Sequence, residues 1–130
     1  MKIALCQIDP VVGDIYGNAE LIISNYNKAK SLGAELCIFP ELALTGYPPL
    51  DIIERKDFID KSLEAMNELI VPKVEHCAVV LGSINHNLHH GKRYYNSAFF
   101  IDDKKVVHVV NKQLLPTYEL FDERRYYEEG

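Results

Sequence analysis

Short apolar segments alternate with two long amphipathic segments along the first 84 residues, and this alternation restricts the fold more than any other feature. Residues 3–8, 36–39 and 78–84 are nearly continuous apolar runs of strand length, as expected for strands covered on both faces. Between them, residues 18–32 and 52–70 repeat apolar side chains at helical spacing. The order strand, helix, strand, helix, strand predicts parallel pairing in one sheet, with the helices over one of its faces.

Residues that commonly begin and end helices flank both amphipathic segments. Asn18 is a candidate N-cap of the first segment and Gly33 a candidate residue just past its end, and Pro72 is expected to end the second. Residues 94–101 and 106–110 then have the composition of strands and are joined by a polar turn, which predicts an antiparallel hairpin. We therefore expect an α/β fold with a mixed sheet.

Composition places the chain among globular proteins and argues against several kinds of partner. Of its 130 residues, 48% are hydrophobic and 25% charged, and the formal net charge is −5. An acidic chain is poorly suited to bind nucleic acid or an anionic membrane. No segment approaches the roughly 18–20 apolar residues of a membrane span, and the N-terminus turns polar too early for a signal peptide. We expect a cytoplasmic protein that acts on a small molecule or binds a protein partner.

The cysteines and histidines give no clear sign of a metal site. Cys6, Cys37 and Cys77 are an odd number at wide spacing, which is typical neither of a disulfide framework nor of a zinc knuckle. We expect them to be reduced, structural thiols within or beside apolar strands. His86, with two further histidines at 89–90, lies in a polar loop that contains no carboxylate or cysteine, so a hairpin turn is a simpler interpretation than a metal site.

Two charged residues follow the ends of predicted strands, where ligands bind in open α/β sheets. Glu41 comes directly after the strand at 36–39, in a loop that Pro40 and residues 46–49 would stiffen. A carboxylate among apolar neighbours can act as a general base. Lys112 follows the fifth strand and can stabilise an oxyanion or pair with Glu41. Each residue alone is more typical of a solvated surface side chain, so the pair is more informative than either.

Two segments resemble the catalytic motifs of a known family. Phe-Pro-Glu-Leu-Ala-Leu-Thr-Gly-Tyr at 39–47 resembles the first motif of the nitrilase, or carbon–nitrogen hydrolase, superfamily, and residues 112–126, which begin Lys-Gln-Leu-Leu-Pro-Thr-Tyr, resemble the second. The longer segments 41–51 and 112–118, with the opening segment 4–14, are most similar to the glutaminase domains of glutamine-dependent NAD⁺ synthetases. The resemblance implies the α-β-β-α sandwich of that superfamily.

The resemblance also implies roles for four residues. Glu41 would be the general base, and Lys112 the electrostatic stabiliser of the tetrahedral intermediate. Tyr118 and Glu123 would serve substrate binding, Tyr118 by helping to hold glutamine and Glu123 by orienting the lysine. In this superfamily a cysteine attacks the amide carbonyl of glutamine, ammonia leaves, and water cleaves the resulting thioester.

The superfamily's nucleophilic cysteine follows the second motif, and none of Cys6, Cys37 and Cys77 lies at a matching position. The resemblance therefore implies that residues 1–130 are the N-terminal portion of a glutaminase domain with two of its three catalytic residues. This chain alone is then expected to be inactive, to need no cofactor, and to be marginally stable or self-associating. The rest of that domain and a synthetase domain would be absent. The synthetase domain would use ATP and Mg²⁺ to amidate deamido-NAD⁺, and a homo-oligomer is expected.

Two other interpretations remain open from the sequence. One is a stand-alone amidase or carbamoylase of the same superfamily, although the segments 45–49 and 115–118 favour the glutaminase domain. Because no residue matches the nucleophile, a non-catalytic binding or assembly module is also physically possible.

Overall fold

The computed structural model describes residues 1–119 and 121–130. This part of the chain contains five strands in a single sheet and three α-helices. In chain order the elements are β1 (Ile3–Leu5), α1 (Ile15–Ser31), β2 (Leu36–Ile38), α2 (Lys56–Ala65), β3 (Ala78–His86), β4 (Tyr94–Asp102), β5 (Lys105–Asn111) and α3 (Glu123–Tyr126). The sheet order is β1-β2-β3-β4-β5. β1, β2 and β3 pair in parallel, whereas β4 is antiparallel to both β3 and β5. The predicted mixed α/β sheet is confirmed.

Helix α1 begins earlier than the sequence predicts. Its first residue is Ile15 and its N-cap is Asp14, whose Oδ1 accepts a hydrogen bond of 3.0 Å from the backbone N–H of Gly17. The predicted N-cap was wrong by one turn because both residues have side chains suited to capping. The end of the helix is as predicted, since Gly33 follows it with a φ of 83°, a conformation that favours glycine.

Asn18, predicted as the N-cap, instead lies inside α1 and is buried. Its side-chain amide accepts from the N–H of Val11 and donates to the carbonyl of Val11, each over 2.8 Å, and donates to the carbonyl of Leu44 over 3.1 Å. The residue therefore connects α1 to two loops, including the one that follows β2.

The segment predicted as one helix at 52–70 is divided into three elements. A 3₁₀ turn at Leu50–Glu54 ends where Arg55 adopts an extended ψ of 106°, and α2 begins at the next residue. α2 continues into a π-helical turn at Met66–Ile70 and a 3₁₀ turn at Val71–Lys73. On the predicted apolar stripe, Met66 and Ile70 are nevertheless buried in the core, whereas Leu63 is partly buried.

The two faces of the sheet differ in how they are covered. Cys37, Val79 and Leu81 lie on the face beneath α1 and α2 and are at most 1% exposed. On the other face, Leu5 is 74% and Val110 55% exposed. The expectation that the first strand is covered on both faces is therefore wrong for β1 in this structure. Of the expected α-β-β-α arrangement, the structure contains one helix layer and one apolar sheet face. The fold class is the one predicted.

The histidine segment joins β3 to β4 as the predicted hairpin. His86 is the last residue of β3, and its Nε2 lies 3.2 Å from Oδ1 of Asp60, while His89 and His90 are exposed. Within residues 1–119 and 121–130, no group of three or more His, Cys, Asp or Glu side chains is arranged to hold a metal ion. No helix in this part of the chain is long and apolar enough to cross a membrane.

Candidate active site

The loop that carries Glu41 crosses directly over β3, and a glycine allows it to do so. A Cβ atom on Gly82 would lie 2.6 Å from the backbone N of Leu42 and from the carbonyl of Pro40, and 2.8 Å from Cα of Glu41. Backbone atoms this close leave no room for a side chain. Gly82 therefore fixes the height of the loop, and so of Glu41, above the sheet.

Residues that follow Glu41 anchor the loop in the core. Leu42, Ala43 and Leu44 are completely buried, as is Thr45. Gly46 has a φ of 77°, and a Cβ there would lie 2.5 Å from Cα of Val12. The carboxylate thus projects from a tightly packed base, which limits how far it can move.

The side chains of Lys112, Glu41 and Glu123 converge beside this loop. Lys112 Nζ donates to Glu41 Oε1 over 2.8 Å and to Glu123 Oε1 over 3.2 Å. It also lies 2.9 Å from Glu123 Oε2, a contact with ion-pair but not hydrogen-bond geometry. The backbone N–H of Lys112 donates to the carbonyl of Asn96 over 2.8 Å, which extends the pairing of β4 with β5. The predicted convergence of Glu41 and Lys112 is confirmed.

The charges at this cluster are unequally exposed. The side chain of Glu123 is 5% exposed, that of Lys112 30% and that of Glu41 45%. Partial burial opposes the charged form of Lys112, but its hydrogen bonds to Glu41 and Glu123 outweigh burial and raise the pKa of the lysine. Lys112 is therefore a cation at neutral pH, placed between two carboxylates.

Glu123 is held by a second donor, Tyr47. The Tyr47 hydroxyl donates to Glu123 Oε1 over 2.9 Å, so this oxygen accepts from both the tyrosine and the lysine. Burial and the neighbouring Glu123 raise the pKa of Tyr47, which therefore keeps its proton. Glu123 Oε1 therefore contacts both the tyrosine hydroxyl and the lysine ammonium, while its predicted role in orienting the lysine stays a prediction.

Tyr118 lies at the rim of the site. It is 64% exposed, and its ring packs edge-on against Phe121 with 5.7 Å between centroids. Phe121 lies in turn 6.2 Å from the ring of Tyr47. The predicted contact of Tyr118 with glutamine stays a prediction.

Asn96 is a site residue that the sequence analysis missed. It is 3% exposed near the start of β4, and its Nδ2 donates to Glu41 Oε1 over 2.5 Å. One signal was available, because an asparagine is unfavourable inside a strand of apolar and aromatic residues. Gly82 was also missed, because the sequence of β3 does not show that the loop carrying Glu41 packs against this glycine.

An open cleft of about 280 Å³ lies beside these groups on the sheet face opposite α1 and α2. Glu41, Asn96 and Lys112 line its polar side, and its floor is formed by small or apolar side chains and a glycine, namely Val80, Gly82, Ala98 and Val110. A planar amide fits such a cleft, with a carboxylate and an ammonium at one end and an apolar surface beneath.

The chain's three cysteines all lie among the described residues, and none lines this cleft. They are buried free thiols, as predicted, and Sγ of Cys37 lies 3.6 Å from Sγ of Cys77. Burial raises the pKa of both Cys6 and Cys37. These features are typical of structural rather than nucleophilic thiols.

Comparison with known proteins identifies the family. The carbon–nitrogen hydrolase family profile matches residues 2–130, almost the whole chain. This chain belongs to the carbon–nitrogen hydrolase family. Within the family, it is 40% identical over 129 residues to the glutamine-dependent NAD⁺ synthetase of Acinetobacter baylyi, with 99% of this chain and 23% of that protein aligned. It is 32% identical to the synthetase of Thermotoga maritima, over all of this chain and 22% of that protein.

Solved structures of family members agree with the fold. The glutamine-dependent NAD⁺ synthetase from Acinetobacter baumannii, solved with ADP, superimposes with a TM-score of 0.90 at 38% identity, covering 98% of this chain and 24% of that one. An amidase from Nesterenkonia has a TM-score of 0.80 at 23% identity, covering all of this chain and 48% of the amidase, and shows the fold alone. The chain spans less than a quarter of the length of the synthetases that it matches.

Proposed function

We propose that this chain is part of a glutaminase domain that hydrolyses the side-chain amide of glutamine. The ammonia would serve the ATP-dependent amidation of deamido-NAD⁺ to NAD⁺. The observation that carries this proposal is the Glu41–Lys112–Glu123 cluster beside an open cleft. It is supported by the similarity of 99% of the chain to a glutamine-dependent NAD⁺ synthetase.

In the proposed reaction Glu41 moves the protons and Lys112 stabilises charge. Glu41 takes the proton of an attacking thiol as sulfur bonds to the amide carbon, and the carbonyl oxygen becomes an oxyanion beside the Lys112 ammonium. The carbon–nitrogen bond then breaks, and Glu41 returns the proton to the leaving nitrogen, which departs as ammonia. Water, deprotonated by the same carboxylate, attacks the thioester carbon, the carbon–sulfur bond breaks to release glutamate, and Glu41 returns the proton to the leaving sulfur.

The nucleophile in this proposal lies outside residues 1–130. Cys6, Cys37 and Cys77 are buried and lie apart from the cleft, so none is placed to attack a substrate there. We therefore expect no glutamine hydrolysis by these residues alone. The remainder of the glutaminase domain would contribute the thiol and pack over the exposed Leu5 and Val110 of the open sheet face.

Two further residues, Glu123 and Tyr118, would assist the reaction. Glu123 would orient Lys112, and Tyr118 at the rim would contact the amino-acid end of glutamine. This portion of the chain needs no cofactor in the proposed reaction, whereas ATP and Mg²⁺ would bind a synthetase domain. We place the reaction in the cytoplasm and propose a homo-oligomeric assembly.

Release of ammonia by the purified full-length protein tests the proposal. We expect turnover of glutamine, with NAD⁺ formed when deamido-NAD⁺, ATP and Mg²⁺ are added. Preference for simple aliphatic amides or N-carbamoyl amino acids, without NAD⁺ formation, would favour a stand-alone amidase or carbamoylase. Release of ammonia from none of these compounds would indicate a non-catalytic module.

A further inference from the structure

We propose that Asn96 is a positioning residue that holds one carboxylate oxygen of Glu41, Oε1, and so leaves the other, Oε2, to exchange protons with the reacting groups. This inference rests on the proposed glutaminase function. In Glu41, Oε1 would then be held in place and Oε2 would transfer protons. The residue that holds Oε1 lies in a strand, outside both catalytic motifs.

Two donors reach Glu41 within the described residues, and both reach the same oxygen. Asn96 Nδ2 lies 2.5 Å and Lys112 Nζ 2.8 Å from Oε1. A carboxylate oxygen has about two lone-pair sites, so the amide and the ammonium together occupy those of Oε1. Oε2 keeps its lone pairs for the proton that a general base must accept.

Asn96 is itself fixed in place. It is 3% exposed and lies in β4, between β3 and β5, opposite Ile84. Its carbonyl accepts the backbone N–H of Lys112 over 2.8 Å. A single residue therefore holds the carboxylate through its side chain and the lysine through its main chain, and fixes their separation.

The alternative is that the hydrogen bond of Asn96 is purely structural and serves to pair its buried amide group. In that case, loss of Asn96 would lower stability without affecting catalysis selectively. Kinetics of the full-length protein separate the two roles. We expect Asn96→Ala to lower kcat for glutamine by about 10- to 100-fold, as for a catalytic group misplaced by about 1 Å, with KM changed less than about threefold. The thermal unfolding midpoint of each variant, compared with that of wild type, serves as the measure of folding. The control, Asn25→Ala, removes an asparagine whose side chain donates to the Leu21 carbonyl within α1.

A second variant, Asn96→Asp, keeps the shape but replaces the donor by an acid. At neutral pH the introduced carboxylate would repel Glu41, and the pair would share a proton as the pH falls, because like charges at this distance cannot both ionise. Among the described residues, the charged groups paired around Glu41 are Lys112 and, beyond it, Glu123. We expect the activity of this variant, relative to wild type, to rise as the pH is lowered from about 8 to 6.

A spectroscopic measurement covers the case in which these variants do not fold. In the folded wild-type protein, the side-chain ¹H–¹⁵N resonances of Asn96 should shift when Glu41→Gln removes the charged acceptor. Unchanged resonances, or a folded Asn96→Ala protein with wild-type kcat, would overturn the proposal. A wild-type protein that does not hydrolyse glutamine would instead overturn the glutaminase function on which it rests.

Discussion

Lys112 Nζ lies 2.8 Å from Glu41 Oε1 although 71 positions separate the two residues in the chain. Glu41 follows β2 and Lys112 follows β5, and the two strands are separated in the sheet by β3 and β4. The contact exists because the loop after β2 crosses over Gly82 toward the end of β5. A carboxylate and an ammonium thus meet beside an open cleft, and the buried Glu123 holds the ammonium from the other side.

Lys112→Met should destabilise the fold, because it leaves the buried Glu123 without a cation. We expect a loss of about 1–3 kcal/mol in the free energy of unfolding, toward the lower end because Lys112 is partly exposed. Urea denaturation measures it. The control is Lys104→Met, since Lys104 forms a solvent-exposed ion pair of 2.8 Å with Glu75, and its loss should cost less than the loss of Lys112. Equal losses in the two variants would show that the site lysine has no special structural role.

Tyr47→Phe should also destabilise the chain, since it removes a donor to Glu123 without changing the ring. The expected loss is about 1–2 kcal/mol for a hydrogen bond to a charged acceptor. Tyr16→Phe, at a tyrosine that is 57% exposed on α1, is the matched control and should change stability by less than about 0.5 kcal/mol. If both variants unfold at the same urea concentration as wild type, Tyr47 does not support Glu123.

Stability should fall as the pH rises above about 8.5, where an unfolded cysteine begins to lose its proton. Burial raises the pKa of Cys37 and of Tyr127, and hydrogen bonds to two glutamates raise that of Lys112. In each case the folded chain keeps a proton that the unfolded chain loses, so the contribution is complete below the unfolded pKa and disappears as the pH passes the folded one.

Thermal unfolding between pH 7 and 10.5 measures this dependence, and Cys37→Ala should flatten its first part, between about pH 8.5 and 10. A constant or rising melting temperature over this range would be inconsistent with the buried, protonated groups described above.

Gly82→Ala should displace the loop that carries Glu41. Its Cβ would lie 2.6 Å from two backbone atoms of that loop, and backbone cannot yield as a flexible side chain can, so we expect a loss of about 1–3 kcal/mol. Ala78→Ser adds one heavy atom on the same face of the same strand and is the control. A crystal structure of Gly82→Ala with Glu41 still 2.8 Å from Lys112 would contradict the role given to the glycine.

The sequence predicted the convergence of Glu41 and Lys112 because each follows a strand and belongs to a family motif. It did not predict the parts that depend on tertiary contacts. Asn96 reads as an isolated polar residue in a strand, and its role follows only from the crossing of the loop over β3. Asn18 has the chemistry of an N-cap but bonds two loops instead. The break at Arg55 carries no proline or glycine signal, so 52–70 was predicted as one helix.

The comparison of two nitrogen donors in the full-length protein tests most directly whether Glu41 and Lys112 form a glutaminase site. In Glu41→Gln, we expect NAD⁺ formation from deamido-NAD⁺ and ATP to fall by about 10²- to 10⁴-fold with glutamine as donor, the range for loss of a general base. With ammonium as donor, the same preparation should form NAD⁺ within about twofold of the wild-type rate, because ammonium needs no amide hydrolysis. Glutamine-supported synthesis at the wild-type rate in Glu41→Gln would contradict the account.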